Sequence, residues 1–130
     1  MLNKYQWAAV VAALFIPSLV FASTRKKIAK PDPGLQNLTA FLLMIQYAEG
    51  THGVHAYQTL YGGGLFYSFD QHPNQKTTRW GITSTAAGAY QFLYSTWQIL
   101  AKDLGLVDFS PASQDKAAIE LVRRKGALED

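Results

Sequence analysis

The chain has 130 residues, enough for one domain with a core of its own. Hydrophobic residues make up 48% and charged residues 16%, a balance that excludes a disordered chain. With no cysteine, both a disulfide framework and a thiolate metal site are excluded, and no cofactor is expected.

The net charge of +3 is unevenly spread. Arg25, Lys26, Lys27 and Lys30 form one basic cluster and Arg123-Arg124-Lys125 a second, so the rest is net acidic. This is not the broad basic surface that tracks nucleic acid, and no nucleic-acid partner is predicted. The clusters read first as solvated ends, and second as contacts for anionic wall polymers or phospholipid.

Residues 1–22 stand apart. Lys4 gives a short positive start, Tyr5 to Phe21 is almost wholly apolar, and Val20-Phe21-Ala22 precedes Ser23. This pattern predicts a bacterial-type secretory signal cleaved after Ala22. Left uncut, residues 5–21 are long enough to anchor the chain in a membrane. The basic cluster just beyond opposes export by the positive-inside tendency, yet the cleavage pattern favours export to the periplasm or cell wall. Residues 23–34, basic and ending Pro31-Asp32-Pro33-Gly34, predict a linker, with the folded domain over 35–130.

A helix is predicted over 38–49, with Asn37 as its N-cap. Leu38, Phe41, Leu42 and Ile45 recur at helical spacing, and Glu49 falls on the same face. A lone carboxylate is thus expected at the end of a buried face. Burial raises a carboxylate's pKa, and the partial negative charge of a helix C-terminus acts in the same direction. A glutamate kept protonated is what general-acid chemistry needs.

From Thr51 to Ile82 the chain turns polar and aromatic. Residues 54–60 and 65–69 flank Tyr61-Gly62-Gly63-Gly64, which predicts short strands or an irregular hairpin about a glycine turn, with 70–79 as loop. Ser95-Thr96-Trp97-Gln98 predicts a capping box opening a helix that ends at Gly105. Ser110-Pro111 predicts a capped helix to about Lys125, with Gly126 beyond. Helices around a small strand region give an α+β domain.

Ser84-Thr85-Ala86-Ala87-Gly88-Ala89-Tyr90-Gln91-Phe92 is the second candidate stretch. Small residues let a chain approach a ligand closely. Tyr90 and Gln91 offer stacking surface and a two-way amide, suited to the ring faces and N-acetyl groups of sugars. The alternative is an ordinary turn entering a helix.

Several segments in order resemble the phage lambda endolysin family: Tyr47-Ala48-Glu49-Gly50-Thr51, Gly62-Gly63-Gly64-Leu65-Phe66, His72-Pro73, the 84–91 stretch, Leu104 to Asp115, and Gly126-Ala127-Leu128. Ordered segments are more specific than any single motif. The resemblance implies a lysozyme-like, mainly helical α+β fold with a small β-hairpin region. It also implies cleavage of peptidoglycan glycan strands as a lytic transglycosylase, between N-acetylmuramic acid and N-acetylglucosamine. Glu49 matches the family's catalytic glutamate, acid first and base second. Tyr90 and Gln91 are the glycan-binding candidates, with Ser84 and Thr85 as hydrogen-bonding partners for Glu49 or sugar and Thr51 as a further substrate-binding candidate. The family pattern continues past Asp130, so the domain is expected to be C-terminally truncated.

Ordinary glycosidases use two flanking carboxylates, whereas a substrate-assisted enzyme needs one. Between Glu49 and Lys102 the sole other acid is Asp70, with no motif around it. A hydrolytic muramidase and an inactive wall-binding module remain alternatives. His52, His55 and His72 read as loop residues near the cleft, not as a metal site. Trp80, Trp97, Phe66 and Tyr67 read as core, with sugar stacking as the alternative for Trp80.

Overall fold

The computed structural model describes residues 33–126, within the compact unit Pro31–Asp130. The signal expected over 1–22, most of the expected linker and Ala127-Leu128 lie outside the described residues. The described residues hold three helices and one hairpin: α1 (Pro33–Glu49), α2 (Tyr94–Leu104) and α3 (Pro111–Arg124), with strands β1 (Thr77–Arg79) and β2 (Ile82–Ser84). This is the α+β class expected from the sequence. Among the described residues, no helix is long and apolar enough to cross a membrane.

Helix α1 begins at Pro33, earlier than expected, so Asn37 lies inside it and caps nothing. Proline suits a first helical turn because its missing N–H has no intrahelical partner there. The helix ends at Gly50, whose φ of 70° the absence of a Cβ permits. The Gly50 N–H donates to Tyr47 O at 3.1 Å and the Thr51 N–H to Gln46 O at 2.9 Å. This crossed pair satisfies carbonyls that the helix end would otherwise leave open.

The regular hairpin is not where the glycines suggested. Residues 54–60 hold a short 3₁₀ turn, Ala56–Gln58, and a single antiparallel bridge, Thr59 to Leu65, spans the glycine turn. The ladder instead takes its first strand from the expected loop 70–79 and its second from beyond it, pairing Thr77 with Ser84, Thr78 with Thr83 and Arg79 with Ile82. Its two-residue connection is Trp80-Gly81, both at positive φ (49° and 76°). That combination matches the primed turn favoured by the twist of a hairpin. A bulky aromatic is a poor signal for such a turn, so the sequence pattern concealed it.

Helix α2 also departs from expectation at its start. It opens at Tyr94 with Leu93 as N-cap, and no side-chain capping bond forms there. Thr85 Oγ1 accepts the Tyr94 N–H at 3.2 Å, replacing the local capping box with a tertiary one. The end at Gly105 is as predicted, with φ 63° and Leu106 N–H on Ala101 O at 2.9 Å. Helix α3 opens as predicted: Ser110 Oγ accepts the Ser113 N–H at 3.3 Å, and Pro111 holds the first position. Asp108 adds a second brace, accepting from Ser113 Oγ at 2.6 Å and from Ser110 N–H at 3.1 Å. These hydrogen bonds to its ionised form hold the Asp108 carboxyl below the usual range.

The core centres on Phe109, which is fully buried. Trp97 meets it edge-on at 4.6 Å, with His72 at 4.7 Å and Phe66 at 5.7 Å. Trp97 and Phe66 are therefore core residues as expected. Tyr67 and Trp80 are not, at 82% and 85% exposed. His72 is likewise no loop histidine beside the cleft, since only 3% of its surface is exposed. The Asn74 N–H donates to its Nδ1 at 3.0 Å, so Nε2 carries the proton and donates to Phe92 O at 2.8 Å. Burial holds the His72 pKa below its ordinary value and keeps the ring neutral.

Candidate active site

Glu49 is the last residue of α1 and opens onto a cleft of about 360 Å³. Gly50, Thr51 and Gln91 line it together with Glu49, as do the turn 59–63 and Trp80 of the hairpin. Glu49 is the sole carboxylate among these lining residues. The expected burial of Glu49 is not met, because its side is exposed while Gln46, one turn earlier, is the buried residue of the helix. The apolar residues at 38, 41, 42 and 45 are only half-buried. The helix therefore carries Glu49 past the edge of the core to the rim of the cleft.

Thr51 fixes the turn that presents Glu49. It is 4% exposed, and its hydroxyl donates to Ala89 O at 2.5 Å. The N–H of that same Ala89 donates to Gln114 Oε1 at 2.9 Å. Gln114 is fully buried, and its amide nitrogen also donates to Phe109 O at 2.8 Å and Tyr57 O at 3.1 Å. One glutamine of α3 thus satisfies three buried backbone groups that would otherwise be costly. Gly88 is needed for this approach: a Cβ there, at φ 81°, would lie 2.2 Å from Gln114 Oε1. The thin segment does admit a close neighbour, but the neighbour is Gln114.

The five sequence-based binding candidates divide three ways. Gln91 lines the Glu49 cleft, although its amide nitrogen is already engaged with Gly88 O at 2.9 Å and Thr59 O at 3.1 Å. Thr51 also lines it, with its hydroxyl turned inward to the protein. Tyr90 does not: it is 8% exposed, and its hydroxyl donates to Asp115 Oδ1 at 2.6 Å. Tyr57 donates to the same carboxylate oxygen at 2.9 Å, and Gln46 Nε2 donates to the Tyr90 oxygen at 3.4 Å. Burial, followed by the Asp115 carboxylate, pushes both phenol pKa values up. Ser84 and Thr85 line a separate recess with Lys76, Thr83, Leu93 and Ser95. Their hydroxyls accept from the N–H groups of Ala86 and Tyr94.

Trp80, Tyr61 and the glycine turn are the cleft residues that pattern reading underweighted. The glycine turn was visible, but its place in the same cleft as Glu49 depends on tertiary structure. Asp70 lies outside this lining and holds Ser68 Oγ at 2.9 Å. His52 stacks on Tyr47 at 4.1 Å with its ring nearly parallel. Among the described residues, no group of three side chains is arranged to hold a metal ion.

The Endolysin family model matches residues 39–130. The endolysin of Escherichia phage lambda is 41% identical over 96 residues, covering 68% of this chain and 61% of the relative. The endolysin of Escherichia phage P2 is 40% identical over 111 residues, covering 73% and 67%. The chain therefore spans less than two thirds of the lambda relative's length. Among solved structures, bacteriophage lambda lysozyme complexed with a chitohexasaccharide matches with a TM-score of 0.66 at 40% identity, over 70% of this chain and 64% of that one. A second structure of lysozyme from bacteriophage lambda gives the same TM-score at 39% identity. The expected lysozyme-like fold is thus the observed one, and the chain belongs to the endolysin family.

Proposed function

We propose that this chain cleaves the glycan strands of peptidoglycan as a lytic transglycosylase, with Glu49 as the single acid–base group. The observation that carries the reading is the lone carboxylate in the cleft of an endolysin-family domain. Two-carboxylate glycosidases place their partners on either side of the scissile bond. Among the described cleft residues, Glu49 has no such partner.

In this reading Glu49 donates its proton to the oxygen leaving the anomeric carbon of N-acetylmuramic acid. That C–O bond breaks, and the N-acetyl group of the same sugar steadies the cationic carbon. The carboxylate then takes the proton of the sugar's own 6-hydroxyl as O6 bonds to the anomeric carbon. The products are a 1,6-anhydro end and a free hydroxyl on the leaving sugar, and no water is consumed. The exposed position of Glu49 fits a group that must meet a long polymer at a cleft rim. Binding of chitohexasaccharide by the lambda relative supports N-acetylated glycan as the ligand class. Export by the apolar run at 5–21 would bring the chain to this substrate, and protease mapping of the mature N-terminus after secretion checks that step.

The test is mass spectrometry of soluble products released from peptidoglycan by the full chain. Anhydro-muropeptides are expected, and reducing ends in their place would make the enzyme a hydrolase. Glu49→Gln should lower release by about 10²- to 10⁴-fold while leaving the unfolding curve unchanged. Undiminished release would remove Glu49 from the chemistry.

A further inference from the structure

We infer that Trp80 is a glycan-stacking residue held over the Glu49 cleft at a cost in backbone strain. The inference rests on the proposed glycan-cleaving function and names the ligand chemistry of one wall of that site: the apolar face of an N-acetylated pyranose.

Four observations carry it. First, Trp80 is 85% exposed, an unusual position for so large an apolar surface. Second, Trp80 lines the same cleft as Glu49. Third, Trp80 occupies the first position of the two-residue hairpin turn at φ 49°. That position favours Asn, Asp or Gly, and for a bulky side chain positive φ is an outlier. Strained residues of this kind gather at ligand clamps, where the side chain's position is worth more than backbone comfort. Packing does not supply the reason here, because the ring is open to solvent.

Fourth, the hairpin is fastened to the glycine turn that lines the same cleft. Arg79, the residue before Trp80, donates from Nε and Nη2 to Gly62 O at 3.2 and 2.9 Å. The guanidinium carbon lies 6.0 Å from the Trp80 ring centroid. Gly62 makes room for this contact, since a Cβ there would lie 2.3 Å from Arg79 Cγ. The brace fixes the indole relative to the glycine turn and leaves most of its surface free. Sugar rings present a C–H face that stacks on a flat aromatic, while their hydroxyl and N-acetyl groups remain free to hydrogen-bond elsewhere.

The test separates ligand binding from structure. In the full chain, Trp80→Asn places a residue that favours this turn at the strained position. It should raise the unfolding temperature while weakening binding of an N-acetylglucosamine hexamer about tenfold, as followed by calorimetry. Trp80→Tyr, which restores a flat ring, should recover most of the affinity. In turnover, Trp80→Asn should raise KM more than it lowers kcat. If Trp80→Asn binds the hexamer as tightly as the unaltered chain, or loses stability, the inference fails and the proposed function stands. If the unaltered chain neither binds the hexamer nor releases muropeptides, the proposed function fails and takes the inference with it.

Discussion

The segment 86–92 and helix α1 both contribute to the Glu49 cleft, yet they are held in opposite ways. In the segment, Ala86 to Tyr90 and Phe92 are buried, and Gly88, Ala89 and Gln91 are tied by named hydrogen bonds to α3 and to the turn at Thr59. Along α1, Gln46 is the only buried residue, while Leu35, Leu43, Met44 and Tyr47 are 62%, 48%, 57% and 65% exposed. The catalytic candidate sits on the loosely packed element. Its position is fixed locally, by the Gly50 turn and the Thr51 hydroxyl, and by Ala89 beyond it. A site can thus be rigid at one turn of an otherwise exposed helix when that turn is stitched to the core.

The comparison breaks most readily at Gly88. Gly88→Ala forces a Cβ against the Gln114 amide and strains the backbone at φ 81°. Losing that seating, with the buried bonds of Gln114, should cost about 3 kcal/mol or more. Chemical denaturation measures it, and a loss below about 1 kcal/mol would show that Gln114 can move aside cheaply.

Thr51→Val probes the stitch itself. Keeping the shape but removing the hydroxyl leaves the buried Ala89 carbonyl unpartnered, at about 1–3 kcal/mol. If the stitch also places Glu49, kcat should fall beyond what stability explains at a temperature where the variant stays folded, and Thr51→Ser should restore it. Equal kcat for valine and threonine would confine the hydroxyl to stability.

Acid sharpens the contrast more gently through His72. Its folded pKa lies below the ordinary 6.5 because of burial, so below that pH the unfolded chain binds a proton that the folded one resists. The stability it contributes is complete above about pH 6.5 and is lost as pH falls from there towards the folded pKa. Unfolding temperatures at about pH 7.5 and 5.5 should differ more in the unaltered chain than in His72→Gln, where that proton linkage is gone.

The smallest effect is expected at the surface of α3. Glu120 pairs with Arg123 at 2.8 Å and Arg124 at 2.7 Å, and Arg124 also reaches Asp103 at 2.8 Å. These guanidinium hydrogen bonds hold the Glu120 carboxyl down at about 2. Exposed pairs are screened by solvent and salt. Glu120→Gln should therefore shift the unfolding temperature less than any variant above, with the shift fading in high salt. A shift rivalling Gly88→Ala would place this face among the elements that hold the domain together.

Local signals that need only neighbouring atoms were legible. Ser110-Pro111, Gly105 and Gly126 marked helix ends because caps and left-handed turns depend on residues a few positions apart. Glu49-Gly50 announced a carboxylate at a helix end for the same reason. The caps expected at Asn37 and Ser95 failed, because the helices begin elsewhere, and so did the statements about facing. Tyr90 and Trp80 are both aromatics within two residues of a glycine, and nothing local says that one donates to Asp115 inside the domain while the other lines the cleft. The small residues of 84–92 were read as room for a ligand, whereas the close neighbour at Gly88 is the Gln114 side chain. The sequence by itself determined the α+β class, the start of the last helix, the glycine ends of the helices, and the family. Only the tertiary structure decided which face of α1 is buried, which hairpin forms, and which side chains reach the cleft. Burial and facing depend on segments far apart in the chain, such as Gln114 closing on Ala89 and Arg79 on Gly62, and no periodicity within either segment encodes its partner.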